Sequence, residues 1–159
     1  KQYKFARPLI NSGRLSTPTI HLESTLNTAD IDSWLGKLSP GAPAADAPLQ
    51  TPKGECWLLS QLKGDFTLLY FTDGSVPEDV EAELRRLSEN ALLVKPLVIG
   101  LNSESQGVSL FDLQGLAALR YDARNGTTYL LRPDQHITAR WKRFATDAVR
   151  KALKRVTCN

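Results

Sequence analysis

Between Thr127 and Lys142 the chain reads TTYLLRPDQHITARWK, and few folds accommodate that stretch together with the helical segment after it. An apolar run (Tyr129, Leu130, Leu131) stops at Arg132-Pro133-Asp134-Gln135, and alternation resumes through Ile137, Ala139 and Trp141. Pro133 presets φ, and the Asp134 side chain can bond its own backbone, so the break is turn chemistry and the whole is a β-hairpin. A helix comes directly afterwards, from about Phe144 to Val156. Ala145, Ala148, Val149, Ala152, Leu153 and Val156 recur there at three- and four-residue steps, which makes one apolar face. Asp147 near its start and Lys154 and Arg155 near its end suit the helix dipole.

Upstream, Asp65 to Thr72 (DFTLLYFT) is almost continuously apolar, the pattern of a strand buried on both faces. Ser75-Val76-Pro77-Glu78 then carries helix-start signals, with Ser75 as the cap, Glu78 three residues on and Pro77 in the first turn. That helix extends to about Asn90, with Val80, Leu84 and Leu87 on one stripe. Residues 92–100 (LLVKPLVIG) resume a strand, in which Pro96 implies an edge, a bulge or a late start. Residues 110–121 (LFDLQGLAALRY) suggest a helix or a broken helix, weakened by Gly115. Residues 56–64 suggest a short strand or helical turn stopped at Gly64. The order strand, helix, strand, helix, hairpin, helix is that of an α/β thioredoxin-like fold with a central mixed sheet.

The first 54 residues differ in character. They hold six of the nine prolines (Pro8, Pro18, Pro40, Pro43, Pro48, Pro52), which forbid a long helix and favour extended structure. Thr28 to Leu35 (TADIDSWL) suggests one or two helical turns, with Trp34 and Leu35 as anchors on a surface. The division expected is an extended arm or linker over residues 1–54 and a thioredoxin-like domain over residues 55–159. The chain opens on Lys1 and contains no methionine, which fits a piece of a longer polypeptide.

At 159 residues, 42% hydrophobic and 23% charged, the composition is that of one globular domain. No run approaches the ~20 apolar residues of a membrane span, and no signal peptide opens the chain, so no membrane association and a cytoplasmic location are expected. Cys56 and Cys158 are far apart and outline no disulfide framework. Net charge is +3, but the charge is uneven: from Arg140 to the end, seven basic residues face Asp147 alone. That basic helix reads as a solvated or protein-contacting face, because nucleic-acid binding would want interleaved exposed aromatics.

A redox protein of this fold places a thiol at the start of the helix after the first central strand, where the helix N-terminus lowers its pKa. Here Thr72-Asp73-Gly74-Ser75-Val76-Pro77 contains none, and Gly126-Thr127-Thr128 stands where a cis-proline is usual. His21 and His136 have no metal-ligand spacing, and His136, Asp134 and Ser75 suit turn and cap roles. No glycine pair forms a dinucleotide or phosphate loop. No catalytic, cofactor-binding or metal-ligating residue is therefore assigned.

The segment Tyr121 to Trp141, with its Leu130-Leu131-Arg132-Pro133-Asp134 core and its Ala139-Arg140-Trp141 ending, resembles the C-terminal end of FAD-dependent aromatic-ring hydroxylases, the phenol hydroxylase and 3-(3-hydroxyphenyl)propionate hydroxylase relatives. There a tyrosine-glycine-alanine, a glycine, an apolar pair, Arg-Pro-Asp and Ala-Arg-Trp recur. Arg7 to Ser16, Ser39 to Leu49 and Leu62 to Leu69 are similar to the arm and first strand of that region, so the resemblance runs over about residues 7–142. It implies a parent enzyme that hydroxylates an aromatic ring with FAD, NAD(P)H and dioxygen. This chain would be its C-terminal, non-redox thioredoxin-like domain, binding no cofactor itself, packing on the upstream FAD and substrate domains and supporting a homo-oligomer. Glu23 to Asn27 departs from a frequent Ser-Pro-Leu, which leaves the substrate open. The alternatives are a stand-alone thioredoxin-fold redox protein and a basic partner- or nucleic-acid-binding module.

Overall fold

The computed structural model of the chain describes residues 19–89 and 94–158. The readings placed on Arg7 to Ser16, on Pro8 and Pro18 and on the helix end at Asn90 lie outside the described residues. Seven strands form one sheet in the order β2-β1-β5-β4-β3-β6-β7. They are β1 (Pro48–Thr51), β2 (Gly54–Trp57), β3 (Thr67–Thr72), β4 (Lys95–Gly100), β5 (Leu110–Phe111), β6 (Thr128–Leu131) and β7 (Ile137–Trp141). Among the described residues three helices accompany them: α1 (Glu78–Glu89), α2 (Leu116–Tyr121) and α3 (Thr146–Thr157). A 3-10 turn covers Leu59–Gln61.

The continuously apolar run is β3, and all six of its residues are buried. It pairs in parallel with β4 across the α1 crossover and antiparallel with β6, whose hairpin partner is β7. The order β4-β3-β6-β7, closed by α3, is the thioredoxin-like fold. Alternation along β3 builds both halves of the core. Leu68 and Tyr70 face α1 and α3, packing with Val80, Leu84, Trp141, Val149 and Leu153. Leu69 and Phe71 face the other side, packing with Tyr121, Tyr129, Ile137 and Leu49. Residues of the Pro-rich segment belong to this second layer: Ala47 and Leu49 are buried in it, with Trp34, Leu38, Ala44 and Ala45 against it.

Several local expectations are corrected. Thr28 to Leu35 is extended, not helical. Trp34 is an anchor, but Leu35 is 94% exposed. Leu110 and Phe111 form β5, and the helix is confined to Leu116–Tyr121, because Gly115 at φ 68° stops the backbone ahead of it. Ser75 lies three residues before α1 and bridges to Gln106 instead of capping. The first helical carbonyl is that of Pro77, which accepts from Glu81 N. Pro96 lies on the half of β4 that has a partner on one side only, since β5 reaches just Ile99 and Gly100. The missing N–H therefore costs no ladder bond.

Candidate functional sites: a thiol-free redox position and an arm clamp

The loop after β3 is where this fold supports thiol chemistry, and here it is tied shut. Ser105 Oγ donates to Thr72 O at 3.0 Å, Asn102 Nδ2 donates to Asp73 O at 3.1 Å and Gln106 N donates to Gly74 O at 3.2 Å. Thr72 Oγ1 closes the turn by accepting from Gly74 N at 3.3 Å. On the other side Gly126 N donates to Phe71 O and Phe71 N to Thr127 O. Ser105 is buried, and its hydroxyl proton is engaged on a carbonyl, so it is a structural group. Beside the loop a groove of about 460 Å³ runs between α1 and the open half of β4, lined by Val76, Leu84, Arg85, Pro96, Val98 and Gln106. The ion pair on its rim, Glu81 with Arg85, is an exposed i,i+4 pair.

Neither cysteine reaches this loop. Cys56 lies in β2, four strands from β3 in sheet order, roughly 19 Å away at the usual strand spacing. Burial pushes its thiol above the ordinary cysteine value, the opposite of activation. Cys158 ends α3 in a left-handed conformation and is exposed. His136 takes the turn role: Nδ1 faces Asp134 O at 3.2 Å and Nε2 faces Thr19 O at 2.9 Å. Asp134 pairs with Arg132 at 2.6 Å across the same turn. Among the described residues no cluster of three His, Cys, Asp or Glu side chains gathers for a metal.

The second constellation is not legible at the level of single motifs. Residues 26–44 run along the outer edge of β7 and bond its first half and the turn before it. Thr28 N donates to Thr138 O, Gly41 N to Ile137 O and Ala44 N to Gln135 O, while Ile137 N donates to Ala42 O. Gly41 makes this approach at φ 91°, where an added Cβ would stand 2.6 Å from the His21 carbonyl carbon. Within this strap Asp30, Asp32 and Trp34 all face the sheet, at the two-residue period of extended chain. Asp30 grips the Arg140 guanidinium through three hydrogen bonds of 2.6–3.2 Å. Asp32 accepts from Lys142 N at 2.8 Å. Arg140 lies 4.3 Å and the Lys142 ammonium 4.1 Å from the Trp34 ring centroid. Asp122 finishes the clamp by accepting from Leu35 N at 2.8 Å and from Lys142 Nζ at 2.6 Å.

The electrostatics follow from these contacts. Burial pushes the Asp122 carboxyl up, but the Leu35 N–H and the Lys142 ammonium outweigh it and hold it below the usual carboxylate range. Burial works against the Arg140 charge, and Asp30 more than offsets it. Beneath Trp34, Tyr129 donates to Tyr121 O and Tyr121 to Ala45 O, both at 2.6 Å, and burial raises both phenols well above the ordinary tyrosine value. Trp34 stands edge-on to Tyr129 with 5.4 Å between centroids. A second buried carboxylate joins the helices: Glu83 of α1 is 4% exposed and takes Arg150 of α3 in a fork of 2.8 and 2.7 Å. The basic α3 thus spends one of its cations on the core.

No protein-family model matches the chain, and no curated protein matches it by sequence. Solved structures do. The chain is similar to the flavin-dependent monooxygenase PieE, seen with FAD and substrate, at TM-score 0.68 and 20% identity over 92% of this chain. It is similar to aklavinone-11 hydroxylase, seen with FAD and aklavinone, at TM-score 0.66 and 20% identity over 86% of this chain. The chain spans about a quarter of each of these, 26% of their length. A thiol peroxidase from Chromobacterium violaceum matches at TM-score 0.59 and 17% identity, over 75% of this chain and 88% of its own. These are similarities of fold, and they differ in reach: the thiol peroxidase covers three quarters of the chain, whereas the monooxygenase match extends over nearly all of it.

Proposed function

We propose that this chain is the C-terminal accessory domain of an FAD- and NAD(P)H-dependent aromatic hydroxylase, a thioredoxin-like module without thiol chemistry that packs on the upstream flavin and substrate domains and supports subunit contacts in the cytoplasm. In this reading residues 1–54 are the arm arriving from those domains and residues 55–159 the domain proper. One observation carries it: 92% of this chain superposes on a quarter of an FAD-bound monooxygenase. The loop that would do redox work is supportive, being built from Thr72, Asp73, Gly74 and Ser75 and tied by Asn102, Ser105 and Gln106. FAD and nicotinamide would be held by the rest of the polypeptide, since this chain offers no glycine-rich phosphate loop. The test is flavin titration: FAD fluorescence should be unchanged by the 159-residue chain, while the longer polypeptide purifies with bound flavin. Tight stoichiometric quenching by this chain alone overturns the assignment.

The match to a thiol peroxidase over 88% of that protein supports a second reading, an independent thiol-redox enzyme. It predicts dithiothreitol-dependent peroxide turnover that disappears in Cys56→Ser. Absence of turnover in the unsubstituted chain removes it.

A further inference from the structure

The strap has two faces, and the clamp uses one. Asp30, Asp32 and Trp34 point to the sheet. Ile31 and Leu35, on the other face, are 81% and 94% exposed. Leu35 is fixed in that position by its own backbone, whose N–H donates to Asp122 just past the end of α2. The next residue, Gly36, abuts Arg120 O and the Asp122 Cβ, so the strap crosses the C-terminal end of α2 here. The outward residue of α2 in this region is Leu119, 75% exposed. Ile31 and Leu35 thus stand in solvent on the outer side of the strap, and Leu119 stands in solvent on the helix whose end the strap crosses. The two strap residues are anchored from behind by the Asp30–Arg140 pair and the Leu35–Asp122 bond, and Leu119 by its helix. Scattered exposed leucines are ordinary, but an apolar set fixed by a clamp at one place marks a contact surface.

The geometry points to the Ile31–Leu35–Leu119 surface as the face on which this domain docks the upstream flavin and substrate domains of its own polypeptide, an inference that rests on the reading proposed above. Two observations select that occupant over others. The similar monooxygenases are more than three times as long as this chain, so most of such a polypeptide lies outside it. The strap is also the segment through which an upstream domain connects, and its clamped face keeps that connection in register with α2. Contacts between domains of one chain cover roughly 600–1,500 Å², and the buried core of such a contact is more apolar than its rim. The strap is then a gasket: charged toward its own domain and aliphatic toward its neighbour.

The experiment takes the full polypeptide, unsubstituted and as Ile31→Ser/Leu35→Ser/Leu119→Ser, beside the same pair of 159-residue chains. In the 159-residue chain the triple substitution should move the melting temperature by no more than about 2 °C, because the residues are exposed. In the full polypeptide, hydrogen exchange over 26–38 and α2 should be slower than in the isolated chain, and the triple variant should lose that protection by about tenfold or more. Protease should then release a fragment of about this chain's size. Retained protection in a flavin-carrying variant overturns the docking face and leaves the flavoenzyme reading intact. A native polypeptide with no flavin and no further domain overturns that reading itself. Concentration-dependent self-association of the 159-residue chain, abolished by the triple substitution with full-length protection unchanged, assigns the face to a second copy and overturns the occupant.

Discussion

Removing Asp30 should loosen the strap and the core together. Arg140 is 5% exposed at its side chain, and its three hydrogen bonds to a side-chain partner all go to Asp30. Asp30→Ala leaves the guanidinium buried against Trp34 with its carboxylate gone. Breaking a buried pair from one side costs about 3–5 kcal/mol; Asp30 is 27% exposed and the strap can yield locally, so about 3 kcal/mol is expected. For a chain of this size that lowers the melting temperature by roughly 6–12 °C. Urea unfolding should show the lower midpoint with an unchanged slope. The cycle with Arg140→Met separates the pair from its setting. Methionine keeps the apolar stem over Trp34 and removes the buried charge, so the double variant should lose only about 1 kcal/mol. The coupling is then about 2 kcal/mol or more. A loss under about 0.5 kcal/mol for Asp30→Ala, or a double variant equal to the sum of the singles, refutes the clamp as an energetic unit.

The titrating groups, the cysteines and the tight turn of the strap each give a further measurable outcome. The folded-state carboxyls of Asp122 and Asp134 lie below the ordinary aspartate value, so their contribution is present above about pH 4 and is lost as pH falls through the folded values; an acid titration by circular dichroism should show a fall that Lys142→Met reduces. Tyr121 and Tyr129 are raised by burial, so stability is intact below about pH 10 and declines above it as the unfolded phenols ionise; phenolate absorbance of both should appear only with unfolding, and Tyr129→Phe should soften the alkaline transition. Iodoacetamide should label Cys158 well before Cys56, measured by peptide mass, since burial raises the Cys56 thiol. Gly41→Ala should cost about 2 kcal/mol or more by urea unfolding, from its positive φ and the His21 carbonyl in its path.

Hydrophobic periodicity reveals some of this molecule and hides the rest. β3 is legible because six consecutive residues must be buried on two faces, and the hairpin and α3 because alternation and a three-to-four step are unmistakable over their lengths. The strap mimics a helical turn for a physical reason. Its inward residues are two aspartates and a tryptophan, and its outward ones include Ile31 and Leu35, so the apolar pattern is inverted relative to burial. The readable signal lies in a pair of segments: Asp-x-Asp-x-Trp in the strap matches Arg140-x-Lys142 at and just past the end of β7, both at the strand period. Glu83 is similar, since a lone glutamate on a helix face reveals its burial only once Arg150 is known to lie opposite. β5 escapes because two residues show no period, and the Leu-rich run after it draws the helix reading forward across Gly115.

The strap along β7 also decides how this sheet meets other chains. Uncovered, β7 would present its outer backbone row as a template on which a foreign strand could add. Residues 26–44 occupy that row in cis, so the molecule carries its own inhibitor of edge-to-edge growth. A form beginning at Glu55 would lack this cover and β1 as well, leaving β7 and β5 without their outer neighbours. The strap is therefore a solubility device, and removing it should favour aggregation, seen as increased light scattering.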